Sequence, residues 1–151
     1  MNNIYIHYWR DTTNSFKKEK IKPIKNELNF TKPIGGLWAS NINAEYGWKQ
    51  WCDDNEFKFY NKDNAFVFTL SDNAKVLYIN DTKILANLPM QQSIIKSWLC
   101  LDFEKLSEQY DAIEVNISKC NSLYDLLYGW DCDSILIMNP DVIQEVKTVG
   151  E

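Results

Sequence analysis

Histidine is almost missing from this chain: His7 stands alone among 151 residues. The cysteines are few and scattered. Cys52, Cys100, Cys120 and Cys132 form no Cys-x-x-Cys pair. A structural zinc site normally takes four Cys and His ligands in close pairs, so none is expected. The Gly35-Gly36 pair lacks the Lys-Ser/Thr of a phosphate-binding loop, and no G-x-G-x-x-G or His-Glu-x-x-His occurs. Positive charge is in deficit: 16 Lys and Arg face 21 Asp and Glu, a formal net charge of −5. A general nucleic-acid binder needs a basic face to replace phosphate counterions, and this balance argues against one. No apolar run approaches the roughly 20 residues of a membrane span. Asn2 and Asn3 lead into only a short apolar stretch, so no secretory leader is expected. The thiols are then expected to be reduced, in the cytoplasm.

What is present suits one small α+β domain over residues 1–151. Apolar residues make up 45% of the chain, ordinary for a globular protein. Aromatics reach 14%, which implies a bulky core or a groove lined with flat rings. Lys17, Lys18, Lys20, Lys22 and Lys25 form one local basic run, read as a solvated loop or as an anion-facing segment. Strand-like runs of branched and aromatic residues cover Ile4–Trp9, Leu37–Ala39, Ala65–Leu70, Lys75–Ile79, Ala112–Val115, Ser134–Met138 and Val142–Val146. The turn residues Ser71-Asp72-Asn73 predict a hairpin between the third and fourth. Helices are expected over Asn43–Asp53, with Asn43 as the cap, and within Gln91–Tyr110, where Ile94, Ile95, Trp98 and Leu99 recur at helical spacing. A short turn or helix runs from Asp81 until Pro89 stops it. Many short strands with few helices indicate a mixed sheet in place of regular βαβ units.

Four places carry chemistry, each with a plain structural alternative. His7 sits in an aromatic strand as a core or edge histidine, or as one partner of a pair that meets only in space. Gly35-Gly36 is a plain structural turn with Trp38 in the core, or it allows a close backbone approach and the strand after it delivers the Ser40 hydroxyl. Glu114 lies between Ile113 and Val115. It faces solvent, or it points into a cleft to bind a sugar hydroxyl or stabilise positive charge. Asp131 and Asp133 cap a turn, or join Tyr124, Tyr128 and Trp130 in the floor of a nucleotide pocket.

The order of these segments resembles the ADP-ribosyltransferase fold. Tyr5-Ile6-His7-Tyr8 is similar to its first strand, which carries a late His or Arg. Gly36-Leu37-Trp38-Ala39-Ser40 resembles its second motif. Tyr110-Asp111-Ala112-Ile113 looks like the segment opening a late strand, and Ser134 to Ile143, with Asn139-Pro140-Asp141 inside it, resembles the closing strand. The resemblance implies two small, mostly antiparallel sheets with flanking helices around a cleft that binds NAD as substrate. His7, with Tyr8 beside it, would hold the adenosine ribose, and Ser40 would support the nicotinamide-side strand. Trp38, Tyr46 or Trp48 would stack on nicotinamide. The catalytic carboxylate would be Glu114, with Asp133 as its rival. The implied activity is ADP-ribosyl transfer, a glycosyltransferase chemistry, by a toxin or defence-related effector whose acceptor is a protein, a nucleic-acid base or water. The Glu-x-Glu or Gln-x-Glu pair of arginine- and Rho-modifying toxins is absent, which argues against those targets. The same scaffold without catalysis would be a nucleotide- or protein-binding module.

Overall fold

The computed structural model describes residues 3–8, 16–27, 32–56, 65–92, 99–127 and 130–149. The expected end of the first strand at Trp9, the helical positions Ile94, Ile95 and Trp98, and Tyr128 lie outside them. The strands are β1 (Tyr5–Tyr8), β2 (Leu37–Asn41), β3 (Ala65–Leu70), β4 (Val76–Ile79), β5 (Met90–Gln91), β6 (Cys100–Leu101), β7 (Ala112–Val115), β8 (Ser134–Ile137) and β9 (Ile143–Thr148). The helices are α1 (Trp48–Asp54), α2 (Phe103–Gln109) and α3 (Asn121–Leu126). The expected α+β class holds.

Seven strands form one mixed sheet in the order β4-β7-β8-β2-β1-β3-β9, and β5 pairs with β6 in a separate ribbon. Every neighbouring pair in the large sheet is antiparallel except β4 with β7. The expectation of two small sheets is corrected accordingly: β2 joins both halves. Its Leu37–Ala39 stretch pairs with β8 and its Ser40–Asn41 stretch with β1, so the ladder is handed from one neighbour to the other along a single strand.

The predicted hairpin does not form either. β3 lies between β1 and β9, while β4 is the opposite edge of the sheet. β3 is buried on both faces and takes a partner on each side. After it, Ser71 donates its N–H to Val142, not across a two-strand turn, and the chain leaves that half of the sheet. β4 then reaches its parallel neighbour β7 through a crossover containing α2, the connection that parallel pairing requires.

Local chemistry explains the other shifts of boundary. The Asn41 carboxamide accepts the N–H of Asn43, making a turn where helix was expected. Helix α1 starts at Trp48, where the Gln50 side-chain Oε1 accepts the N–H of Gly47 and the Ser40 hydroxyl accepts that of Trp48. Between Gln91 and Tyr110, the described helix is confined to α2, whose start is capped by the Asp102 side chain accepting from Lys105 N. The Asn26 amide donates to that same carboxylate. Both glycines of the Gly35-Gly36 pair have positive φ, 88° and 72°. A side chain on Gly35 would meet the Pro23 carbonyl at 2.2 Å, and one on Gly36 the Leu136 side chain at 2.7 Å. Backbone geometry and close approach therefore account for both.

The core lies on both faces of the sheet. Tyr5, Ala39, Phe66, Phe68, Ala112, Ile135 and Ile137 pack together on one. Leu77, Ile79, Ile113, Val115 and Leu136 pack with Phe103 and Leu106 of α2 and Leu123 of α3 on the other. Among the described residues no helix is long and apolar enough to cross a membrane.

Candidate functional site

Strand pairing puts Ala39, Ile135, Glu114 and Tyr78 in one row across the sheet. Paired residues share a face, so Glu114 points to the same side as Tyr5 and Phe68. Its surroundings are closed: Glu114 is 6% exposed and its neighbours Ile113 and Val115 are fully buried. The solvent-facing alternative is thereby overturned, because β7 is covered on both faces. The Oε1 atom of Glu114 is buried and meets no hydrogen-bond partner among the described residues. Burial pushes this carboxyl above its usual range. The Tyr5 hydroxyl, the Asn116 side chain and the Lys119 ammonium oppose that push, and the Asp133 charge adds to it. Tyr5 responds in kind: burial and the adjacent Glu114 raise its hydroxyl far above the ordinary tyrosine value.

Glu114 lines a cavity of about 370 Å³. Five asparagines share the lining: Asn3, Asn41, Asn43, Asn80 and Asn116. Tyr78, Ser118 and Lys119 add hydroxyls and an ammonium, and Glu45 and Asp133 add carboxylates. Each amide offers a donor and an acceptor. Three carboxylates against one ammonium favour a neutral or cationic group over a phosphate. This wall suits a ligand with several hydroxyls.

Asp133, the rival carboxylate, is differently employed. Its Oδ1 accepts from Ser118 N at 2.9 Å, and its Oδ2 from the Ser118 hydroxyl at 2.5 Å and Tyr46 N at 3.2 Å. Its backbone N–H donates to the Tyr46 carbonyl, and its carbonyl accepts from the Ser40 hydroxyl. These bonds tie the loop before α1 and the turn after β7 to the entry of β8. The carboxylate is buried and both its oxygens are engaged, as expected of a structural clasp.

The remaining residues singled out in the sequence do not gather at this cavity. Ile6 pairs with Ser40, so His7, the next residue along, faces the opposite side of the sheet from Ser40. The two strands part after that pair, and the His7 Nδ1–H donates to the Trp38 carbonyl across the gap. A carbonyl only accepts, so Nδ1 carries the proton. The ring lies 5.2 Å from that of Phe66, and burial lowers its basicity. Tyr8 faces away from His7, near Cys52 and Asp53 of α1. Trp38 packs edge-on against Trp130 at 4.7 Å with Lys32 above its ring, and Trp48 stacks on Trp51. Ser40 is 3% exposed, with its hydroxyl shared between Asp133 and Trp48. On that side Trp38, Ser40 and Trp48 build core and helix start.

Tyr46 lines a second groove of about 310 Å³ together with Ile117, Ser118, Asn121, Tyr124 and Asp125. Partial burial and the Asp54 carboxylate push its hydroxyl up to about 12.

Sequence reasoning missed the asparagines. Their signal was a period of two: Ala39-x-Asn41, Tyr78-x-Asn80 and Glu114-x-Asn116 each place an asparagine on the face of the residue two before it. Because Tyr78 pairs with Glu114, Asn80 and Asn116 come side by side and share a hydrogen bond of 2.7 Å. Two of the motifs behind the family resemblance also meet locally. The Asp111 carboxylate accepts from Lys75 N and the Asn139 amide, which ties the starts of β4 and β7 to the end of β8.

No family model, curated protein sequence or solved structure matches the chain.

Proposed function

We propose that the Glu114 cavity is a ribosyl site and that the chain is a small ADP-ribosyltransferase using NAD. The observation that carries this reading is the Glu114 carboxylate, buried with one oxygen unpartnered, on a residue that lines a cavity of amides and hydroxyls. Orphaned buried acceptors are rare and costly, and a ligand hydroxyl would satisfy this one once the side chain turns towards the cavity. In the reaction the bond between ribose C1′ and the nicotinamide nitrogen breaks, and nicotinamide leaves with the electron pair. The sugar gains positive charge as it does so. The acceptor then bonds to C1′ and releases its proton. A fixed carboxylate stabilises that charge best where water is excluded. Asn80 and Asn116 would orient the sugar hydroxyls, and Asp133 would hold the wall. Ser40, Trp38 and Trp48 have no part in this version of the site, because they do not line the cavity: the Ser40 hydroxyl is bonded to the Asp133 carbonyl and Trp48 N, Trp38 packs on Trp130, and Trp48 stacks on Trp51. His7 stays outside it too, against Phe66.

A second reading has its own observation. Burial favours the neutral form of Glu114, and a neutral carboxyl donates a hydrogen bond without supplying charge. The chain would then be a binding module for a hydroxylated ligand. Nicotinamide release from NAD, measured with the purified chain and with cell extract as acceptor, separates the two. Release that falls on Glu114→Gln supports transfer. Binding of ribosides without release under any condition supports the module.

A further inference from the structure

The seven-stranded sheet ends in two edges, and they are built differently. At one, the register of β9 against β3 shifts between Val67 and Thr69, and Glu145 there has a positive φ of 52°. Glu145 and Lys147 charge that strand, and the Glu145 carboxylate turns back to accept from the Thr69 hydroxyl. Such irregularities, with charges and inward-pointing carboxylates, keep an edge from pairing with another chain. β4, at the other edge, has none of them. Its register with β7 runs unbroken from Val76 to Ile79, and Val76-Leu77-Tyr78-Ile79-Asn80 carries no charge, proline or glycine. The carbonyls of Lys75 and Ile79 accept from the Asp111 and Asn116 N–H groups on the β7 side. By strand alternation the N–H and C=O of Val76 and Tyr78 point outwards. Among the described residues no strand takes them up. Tyr78 is 46% exposed, although Leu77 and Ile79 on either side of it are buried.

We infer that two copies of this chain pair through β4, antiparallel about a twofold axis at Tyr78, so that their sheets join into one. The occupant of the edge is a second copy because the edge is complementary to itself. Lys75 and Asp81, both exposed, stand three residues to either side of Tyr78. An antiparallel pair centred on Tyr78 sets each Lys75 opposite the second copy's Asp81, Val76 opposite Asn80, and Leu77 opposite Ile79. The two Tyr78 residues meet at the axis, where outward-pointing groups directly opposite each other exchange N–H···O bonds. Their rings share a face, and cross-strand aromatic pairs add stability. Moving the axis to Leu77 sets Lys75 opposite Ile79, and moving it to Ile79 sets Asp81 opposite Leu77. Either shift loses both charge pairs. One patch serving both copies is the form that twofold dimers take. Tyr78 and Asn80 also line the Glu114 cavity, so the second copy brings its Val76 alongside a lining residue of that cavity.

Sedimentation velocity of the whole chain from micromolar to millimolar concentration tests this, with amide hydrogen exchange at both ends of the range. The mass should rise from 17.8 kDa towards twice that value. The Val76 and Tyr78 amides should gain protection only at the concentrated end. Lys75→Glu sets like charges against Asp81 at two places and should weaken association about tenfold, by the usual size of cross-strand charge effects. Lys75→Asp combined with Asp81→Lys should recover it. Tyr78→Lys puts like charges directly opposite each other at the axis and should leave a monomer. Thermal melts of dilute protein check that each variant folds. Should the double variant fail to fold, the wild-type amides and Lys75→Glu still decide. A chain that stays monomeric throughout overturns the inference and leaves the edge to a strand from another protein. A dimer whose Val76 and Tyr78 amides stay unprotected overturns it as well, since another surface is then in use. Association indifferent to Lys75→Glu overturns the self-complementary register on which the choice of occupant rests.

Discussion

Two buried carboxylates border the same cavity, Glu114 on the interior strand β7 and Asp133 at the entry of β8, and they are bonded in opposite ways. Asp133 receives three donors from Ser118 and Tyr46 and holds two loops to the sheet. Glu114 keeps one oxygen with no partner among the described residues. Burial alone does not distinguish them, at 3% and 6% exposure. The distinction is hydrogen-bond satisfaction. A satisfied carboxylate is used up by the fold, whereas an orphaned one costs stability and marks a candidate site.

The strongest way to break that contrast is kinetic. With NAD as substrate, Glu114→Gln should lower nicotinamide release by roughly 10²–10³, the usual loss for a preorganised electrostatic partner. Asp133→Asn should retain far more activity in the fraction that folds. The reverse ranking in single-turnover assays would make Asp133 the reacting carboxylate.

Stability should rank the two the other way. Asp133→Ala strands the N–H groups of Ser118 and Tyr46, and each buried donor left without a partner costs roughly 1–3 kcal/mol. Urea denaturation should show a loss of about 3 kcal/mol. Glu114→Gln should lose nothing at neutral pH.

A smaller effect is the pH dependence. The folded carboxyl of Glu114 is raised, so between its ordinary value and the raised one the folded state holds more protons than the unfolded. Its contribution to stability therefore falls as pH rises through that window. Glu114→Gln should match the wild type near pH 4 and become the more stable protein above the window. Equal pH profiles would mean that Glu114 pays no desolvation cost.

The smallest effect comes from His7 and has the opposite sign. Its folded value is lowered, so the unfolded state takes up the proton first and stability falls as pH drops below about 6.5. His7→Gln should flatten that acid limb in thermal melts, and the Glu114 profile is cleanest in that background.

How far the sequence could be read varies element by element. β7 was legible to the residue, Ala112–Val115, and β8 to within one, because short branched runs between turn residues are local signals. The hairpin of β3 and β4 was not, although both strands were found, since Ser71-Asp72-Asn73 is equally compatible with a chain leaving the sheet. Tyr46 and Trp48 looked alike as aromatic candidates, yet one lines a groove and the other begins α1 with its N–H bonded to Ser40.

By itself the sequence determined which runs become the strands of the large sheet, though not β5 and β6, that Gly35 and Gly36 allow a close backbone approach, and that the chain's overall charge disfavours polyanions. Only the tertiary structure decided that Asn80 meets Asn116, that His7 and Ser40 face opposite sides, and that Glu114 is the unsatisfied carboxylate. The reason is physical. Strand propensity is settled within a few residues. Face and partner depend on register between segments tens of residues apart, and a shift of one position would reverse every side chain.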